Sequence, residues 1–346
     1  MKPKGLTLLA AVVIALLAVA AAGARSGADE LTGAGATFPF PLISKWVPAY
    51  DQATGVHVNY SAIGSGGGIA AITNRTVDFG ASDAPLTPDQ FNAAVKDGAG
   101  VLQIPWALSA TAVMYNVPGA PPHIKLTGKI VADMYLGKIE KWNDAAISKL
   151  NPGANMPDLK VTPIFRSDGS GTTYNFTDYL SSVSPEFKSK VGTATQVNFP
   201  AGVGGRGSSG ISGILSRTDG GVAYADVAYA LANKFKFARV QNRAGKFQLP
   251  GLRGITAAAS TVTKVPASNE MHIVDPPKSQ PLAYPISTFT YVLVPTKTDK
   301  APQLRRFIFW ALTQGQKKEY TAKLLFVPIP KPVLVSAEKT LKKVKS

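Results

Sequence analysis

The chain has 346 residues, no cysteine and a formal net charge of +16. This length suits two domains, and the lack of cysteine excludes disulfides and thiol chemistry. The positive excess favours anionic ligands, but the basic residues are scattered and no nucleic-acid motif occurs, so no nucleic-acid partner is predicted.

The N-terminal residues show the order of features that marks an export signal. Lys2 and Lys4 precede an apolar run from about Leu8 to Ala22, and Ala22-Gly23-Ala24 offers small residues for cleavage. A membrane anchor is the alternative, but the run is short for a span of about 20 apolar residues. We therefore predict a cleaved signal peptide over residues 1–24 and a soluble, exported mature protein.

Strand-like and helical segments alternate along the rest of the chain, which predicts an α/β fold. A helix is predicted over 41–53, ended by Gly55, with Pro48 expected to kink or interrupt it. Strands are predicted over 56–60, 77–81, 102–117 and 286–294. The last two are the strongest β runs, and they lie where the chain could cross between two domains.

Three loops that carry glycines and hydroxyls each open a predicted helix: 33–38, 64–68 and 165–173. The first N–H groups of a helix are free and carry partial positive charge, so they favour anions, and glycine lets a ligand approach the backbone closely. Arg166 adds a planar guanidinium, and Asp83 follows a predicted strand. The pattern predicts a site for a tetrahedral anion.

Several motifs, in this order, resemble those of the PstS family, the periplasmic phosphate-binding proteins of phosphate ABC transporters. They are Gly-Ala-Gly-Ala-Thr-Phe-Pro, Val-Asp-Phe-Gly-Ala-Ser-Asp-Ala-Pro and Ser-Asp-Gly-Ser-Gly-Thr, and the similarity runs from Thr32 to beyond Tyr291. The resemblance implies a type II-like fold with two α/β lobes, a hinge and a ligand cleft between the lobes. We place lobe 1 at 25–104 plus 281–346 and lobe 2 at 105–280, with crossings near Ile104 and Pro281.

The resemblance also implies a set of phosphate-binding residues and one supporting residue. The binding residues are Thr37, Phe38, Ser65, Asp83, Arg166, Ser170, Gly171 and Thr172, and the supporting residue is Asp168. Phe38 would act through its backbone N–H, Asp83 would accept a proton from phosphate, and Asp168 would hold Arg166. Gly66 departs from the pattern, since some family members have a second serine there.

A carboxylate beside an anion makes chemical sense if it selects for a protonated ligand. Phosphate can donate a proton to Asp83, whereas sulfate at neutral pH has none and would be repelled. The predicted function is therefore high-affinity binding of inorganic phosphate and its delivery to the membrane permease subunits of an ABC importer. The resemblance implies a periplasmic location, and the protein is expected to act as a monomer without a cofactor. A site for sulfate or molybdate is the alternative within the binding class.

A phosphate-ester hydrolase is the alternative from another class. Against it, His57, His123 and His272 lack metal-ligand spacing, and no Gly-x-Ser-x-Gly motif occurs, so neither an enzyme nor a metal site is predicted. Nucleotide binding is a further alternative, because two overlapping Gly-x-Gly-x-x-Gly motifs span 202–210. Neither a strand before these motifs nor a clean helix after them is predicted, and nucleotide binding would require both. We interpret this segment as a glycine-rich loop. Three tyrosines are assigned to the core: Tyr224, Tyr229 and Tyr291.

Overall fold

The structure is a computed structural model that describes residues 30–346, so the predicted signal peptide lies outside the described residues. The strands are β1 (Glu30–Gly35), β2 (His57–Ala62), β3 (Phe79–Ser82), β4 (Val101–Asn116), β5 (Lys125–Leu126), β6 (Thr162–Arg166), β7 (Val203–Gly205), β8 (Gly221–Asp226), β9 (Lys236–Phe237), β10 (Arg239–Gln241), β11 (Phe247–Gln248) and β12 (Ser287–Pro295). The α-helices are α1 (Phe40–Thr54), α2 (Ser65–Thr73), α3 (Pro88–Ala93), α4 (Gly128–Tyr135), α5 (Ala145–Leu150), α6 (Gly171–Val183), α7 (Pro185–Lys190), α8 (Gly207–Leu215), α9 (Val227–Ala232), α10 (Leu252–Ala259), α11 (Ala301–Leu312), α12 (Lys318–Thr321) and α13 (Lys331–Leu341). Short 3₁₀ turns lie at Gln314–Gln316 and Ala322–Leu324.

A nine-stranded sheet runs through the molecule in the order β2-β1-β3-β12-β4-β8-β6-β7, with β9 also paired to β4. β4 is its spine, because residues 101–110 pair with β12 and residues 111–116 pair with β8. We call β2, β1, β3, β12 and residues 101–110 the first half-sheet, and residues 111–116, β9, β8, β6 and β7 the second. A smaller sheet has the order β11-β10-β5. We call the part of the molecule that carries the first half-sheet the first lobe, and the part that carries the second half-sheet the second lobe.

The two strongest predicted β runs form the centre of this sheet, within one residue of the predicted bounds. Every residue of β12 is buried, and so is all of β4 except Leu102 and Asn116 at intermediate exposure, as expected for apolar strands covered on both faces. The change of partner along β4 falls between Ala110 and Thr111. The lobe crossings near Ile104 and Pro281 remain a prediction.

Helix α1 shows how the first lobe covers its half-sheet. Leu42, Trp46 and Tyr50 form its buried stripe, and Gly55 ends it in a left-handed conformation with φ 73°, as predicted. The predicted effect of Pro48 was wrong in one respect, because the helix continues through it without interruption. Pro48 is exposed, so water can solvate the carbonyl that lacks its N–H partner.

Aromatic side chains fill the interior between α1, α11 and the first half-sheet. The Trp46 and Trp106 ring centroids are 5.4 Å apart, and Phe79 and Phe307 are 5.6 Å apart. Each such side chain stabilises the fold by roughly 1.5–3 kcal/mol through burial. Over residues 30–346 no helix has the length and apolar character needed to cross a membrane.

Candidate functional site

The predicted site residues meet because the strands before them end at facing edges of the two half-sheets. β1, β2 and β3 are parallel, so the chain turns towards Thr37, Ser65 and Asp83 at one edge. β6, β7 and β8 are parallel in the second half-sheet, and their carboxyl ends lead to Arg166 and the turns after β7 and β8. Ligands of α/β sheets gather at such edges.

Arg166 lies at the centre of these turns with 2% of its surface exposed. Its Nε donates to Asp168 Oδ1 at 2.6 Å and its Nη2 to Asp168 Oδ2 at 2.5 Å. Its Nη1 donates across the cleft to Thr37 Oγ1 at 3.0 Å. Partial burial acts to raise the pKa of Asp168, but the bonds and charge of Arg166 and the Gly207 N–H outweigh it, so the pKa is lowered. Asp168 therefore stays ionised and fixes the plane of the guanidinium.

Asp83 is a buried carboxylate, 1% exposed, whose two oxygens differ in their hydrogen-bond partners. Its Oδ2 accepts from Ser65 Oγ at 3.4 Å and from Thr172 Oγ1 at 3.5 Å. Its Oδ1 has no hydrogen-bond partner among residues 30–346. Burial raises the pKa of Asp83 to about 7, although the charge of Arg166 acts in the opposite direction. The carboxylate is thus an acceptor that gains from a proton-bearing ligand.

Two helix N-termini point their first N–H groups into the same region. Ser65 is the first residue of α2, and Gly171 and Thr172 are the first two of α6, whose N-cap is Ser170. Ser170 Oγ accepts from the Thr173 N–H at 3.2 Å, which holds the start of α6 in place. The helix itself leaves the N–H groups of its first turn without carbonyl partners. Such groups can hydrogen-bond an anion without adding full charge. In this structure the Gly66 N–H donates to the Gly169 carbonyl and the Gly171 N–H to Ser65 Oγ, so an anion would take these two donors from those partners.

The Ser65 hydroxyl joins the two lobes directly. Its Oγ accepts from the Gly171 N–H at 3.0 Å and from the Asp83 N–H at 3.2 Å. Since both lone pairs are used, its one proton is left for Asp83 or a ligand. Phe38 has a fully buried ring that contacts Phe326 edge-on, so only its backbone is placed to act at the site.

The two lobes contact each other closely at positions occupied by glycine. Gly64 has φ +90°, and a Cβ there would lie 2.3 Å from Asp168 Oδ2. The Gly66 N–H donates to the Gly169 carbonyl at 2.9 Å, and a Gly66 Cβ would lie 3.1 Å from the Gly169 Cα. A Cβ on Gly171 would lie 2.6 Å from the Ala84 nitrogen. The backbones approach this closely only because side chains are missing at these positions.

Comparison with known proteins agrees with this architecture. A PBP superfamily domain matches residues 20–314. The phosphate-binding protein PstS of Xylella fastidiosa is 42% identical over 305 residues, covering 87% of this chain and 82% of the relative. The phosphate-binding protein PstS of Pasteurella multocida is 38% identical over 312 residues, covering 89% of this chain and 88% of the relative. The chain belongs to the PstS family.

A solved structure supports the fold of this PstS-family chain. A high affinity periplasmic phosphate-binding protein (PfluDING) bound with phosphate has a TM-score of 0.72 at 22% identity, covering 90% of this chain and 93% of that one. The predicted family and the predicted two-lobed α/β fold are confirmed. The relatives are named as binding proteins, in agreement with the prediction of a binder rather than an enzyme.

Some residues around this PstS-family site were missed in the sequence. Asn175 donates from Nδ2 to the Asp83 carbonyl at 2.9 Å and to the Gly171 carbonyl at 2.8 Å, so it ties the turn after β3 to the start of α6. Tyr224, assigned to the core, is indeed buried, and its hydroxyl also accepts from the Arg166 N–H at 3.2 Å. A polar residue one turn inside α6 was the only signal for Asn175.

The interpretation of 202–210 as a loop was wrong. Residues 203–205 are strand β7 beside β6, and helix α8 begins at Gly207. Ser208, its second residue, has its Oγ 2.7 Å from Thr37 Oγ1. Tyr229, also assigned to the core, donates its hydroxyl to the Thr37 carbonyl at 2.8 Å. Both residues border the site.

Proposed function

We propose that this chain binds inorganic phosphate between its two lobes and delivers it to the permease of an ABC importer. The observation that carries the proposal is the buried, half-unsatisfied carboxylate of Asp83 among anion-binding donors. The donors replace the hydration that an anion loses on burial. Asp83 supplies the acceptor that a protonated phosphate needs.

The proposed ligand contacts follow from this geometry. Arg166 provides a full positive charge, and the start of α2 and the Ser170–Thr172 turn provide N–H and hydroxyl donors. Thr37 and the Phe38 N–H complete the cradle from the first lobe. Asp168 supports Arg166 and does not contact the ligand. Family membership and the similar PstS proteins named above support the ligand class.

We further propose that lobe 1 comprises 25–104 plus 281–346 and lobe 2 comprises 105–280, that residues 1–24 are cleaved on export, and that the mature protein is a periplasmic monomer. The monomer would present its closed lobes to the permease. A fluorescent phosphate-release assay with the reconstituted permease in vesicles tests delivery, and transport that does not depend on this protein contradicts it.

Titration calorimetry on mature, phosphate-free protein tests the binding function. Phosphate should bind, arsenate should compete because it keeps shape and proton, and sulfate should bind far more weakly. Because phosphate binds the folded protein, it should also raise the melting temperature, by an amount equivalent to about 4 kcal/mol at a thousandfold excess over Kd. A melting temperature that does not change with millimolar phosphate would exclude phosphate binding.

The remaining alternatives have their own measurements. Sulfate or molybdate as the ligand would require tighter binding than phosphate, which the carboxylate of Asp83 disfavours. A hydrolase would release phosphate from a phosphate ester, with or without added divalent metal. We expect no turnover in either condition.

A further inference from the structure

The glycine-rich turn between β7 and α8 reaches from the second lobe into the first. Ser208 is fully buried, and its Oγ lies 2.7 Å from Thr37 Oγ1. The Ser208 N–H is directed at the same oxygen, at 3.4 Å. Thr37 belongs to the turn after β1, at the opposite edge of the cleft. The contact therefore joins the two lobes.

Tyr229 reaches the same residue from a second element. It lies in α9, is 8% exposed, and donates its hydroxyl to the Thr37 carbonyl at 2.8 Å. The α9 N-cap, Asp226, accepts from the Ala228 N–H at 2.9 Å and so fixes the start of this short helix. Thr37 is thus bound at both its hydroxyl and its carbonyl by the second lobe.

The turn that presents Ser208 is also tied to the Arg166 pair. Gly207 has φ +69°, which favours glycine, and its N–H donates to Asp168 Oδ1 at 3.0 Å. Arg166 in turn donates to Thr37 Oγ1 at 3.0 Å. The turn and the guanidinium are therefore tied to each other within the second lobe, and both contact Thr37 in the first lobe.

We propose that Ser208 and Tyr229 are positioning residues that hold the cleft closed on its anion through Thr37. This inference rests on the proposed function. They do not need to touch phosphate, because bonds that exist only between closed lobes raise the population of the closed state. A larger closed population lowers the apparent Kd and slows release of the ligand. The association rate depends on the open form, so it stays nearly unchanged.

The test is stopped-flow measurement of phosphate binding and release by Ser208→Ala and Tyr229→Phe. Each loses one buried hydroxyl of the closure contact, and release should become about tenfold faster, equivalent to about 1.4 kcal/mol. Association should change by less than about threefold, as mutations usually act on dissociation. The melting temperature of the phosphate-free protein reports folding for each variant.

Two variants serve as matched controls. Ser212→Ala removes a buried hydroxyl from the same helix, whose oxygen has no partner among residues 30–346. Tyr115→Phe removes a hydroxyl that donates to the Pro121 carbonyl at 2.7 Å and accepts from the Ile124 N–H at 3.3 Å, with both partners in the second lobe. Both should release phosphate at the parent's rate.

A double-mutant cycle separates closure through Thr37 from a general loss of stability. In a Thr37→Val background, which already lacks the shared hydroxyl, Ser208→Ala should accelerate release by less than about twofold. Equal effects in both backgrounds would overturn the role through Thr37. If Ser208→Ala does not fold, Tyr229→Phe alone decides by its release rate.

The outcomes distinguish this inference from the function on which it rests. A parent protein that does not bind phosphate overturns both. A parent that binds phosphate, with both variants releasing it at the parent's rate, overturns only the closure contact. Faster release in the variants with unchanged controls supports it.

Discussion

Asp83→Asn is expected to reduce the preference for phosphate over sulfate. The Oδ1 atom of Asp83 is a buried acceptor without a partner in the described part of the chain. A phosphate hydroxyl can donate to it, whereas a sulfate oxygen, which carries no proton at neutral pH, meets the ionised form of Asp83 as one negative atom against another. The amide of asparagine keeps the size, removes the charge and adds a donor.

The magnitude follows from two opposed terms. A hydrogen bond to a charged group contributes about 1.5–3 kcal/mol, so phosphate loses up to roughly 150-fold in affinity. Against this, the asparagine amide can donate a hydrogen bond to a phosphate oxygen, and the repulsion between two negative groups is removed. Phosphate affinity therefore falls moderately or stays level. Sulfate gains from the lost repulsion and from the new donor, so the affinity ratio should drop by at least about tenfold.

Calorimetry with phosphate and sulfate on parent and variant measures this ratio. Asp275→Asn is a matched control, because Asp275 is also a buried carboxylate with an unpartnered Oδ1 within residues 30–346, but its other oxygen is bonded by Arg243 and Ser182, which are not site residues. The control should keep the parent's ratio. An unchanged ratio in Asp83→Asn would refute the reasoning and leave Asp83 as a turn residue.

Three further predictions concern the same site. Arg166→Lys keeps the charge but loses the planar fork held by Asp168, so phosphate affinity should fall by about 10- to 100-fold; calorimetry showing the parent's Kd would place Arg166 outside the site. Gly64→Ala puts a Cβ 2.3 Å from Asp168 Oδ2 at a residue with φ +90°, so the two lobes should fail to close. Small-angle scattering should then show no compaction with phosphate, and normal compaction would contradict the need for glycine at this position. Burial raises the pKa of Asp83 to about 7, so between about pH 4 and 7 the folded protein binds more protons than the unfolded chain. The free energy of unfolding of the phosphate-free protein should therefore fall as pH rises through that window, by at most about 4 kcal/mol. Urea unfolding at pH 5 and pH 8 measures this, and Asp83→Asn should flatten the difference; equal slopes in both proteins would rule out the buried carboxylate as the cause.

The centre of the fold could be predicted because its signals are local. The apolar runs that become β4 and β12 are long and fully buried, so hydrophobic pattern alone located their ends within one residue. Helix α1 was predicted equally well from its stripe of apolar residues and from Gly55, which follows its last residue. Its continuation through Pro48 depends on exposure to solvent, which a local pattern does not reveal.

The error at 202–210 has a physical cause. β7 is three residues long with two glycines, so it shows no alternation of apolar and polar side chains. The α8 sequence, Gly-Ser-Ser-Gly-Ile-Ser-Gly-Ile-Leu, contains poor helix formers, and burial of Ile211 and Leu215 is what supports the helix. Propensity therefore argued against both elements, and tertiary packing prevailed.

The site residues also differ in whether local sequence or long-range contacts identify them. Residues that belong to dense local motifs, such as the turn around Arg166, were found from the sequence. Ser208 and Tyr229 were not, because they contact Thr37 across 171 and 192 residues of chain. Nothing in their own neighbourhoods indicates a partner that far away, and only the topology of the two half-sheets brings them to the same edge.

The charges at the site explain why so many uncharged donors are needed there. Arg166 carries one positive charge, but Asp168 is ionised against it and Asp83 adds a second carboxylate. With Asp83 ionised these three groups are net negative, so simple attraction between full charges does not hold an anion in this cleft. The overall positive charge can raise the rate of anion capture, but it is spread over the surface and screened beyond about 10 Å at ordinary salt. Retention then depends on helix N–H groups and hydroxyls made available in one fixed geometry. Such donors act only at hydrogen-bond distance, which is why the closed arrangement of the two lobes matters as much as the identity of any single residue.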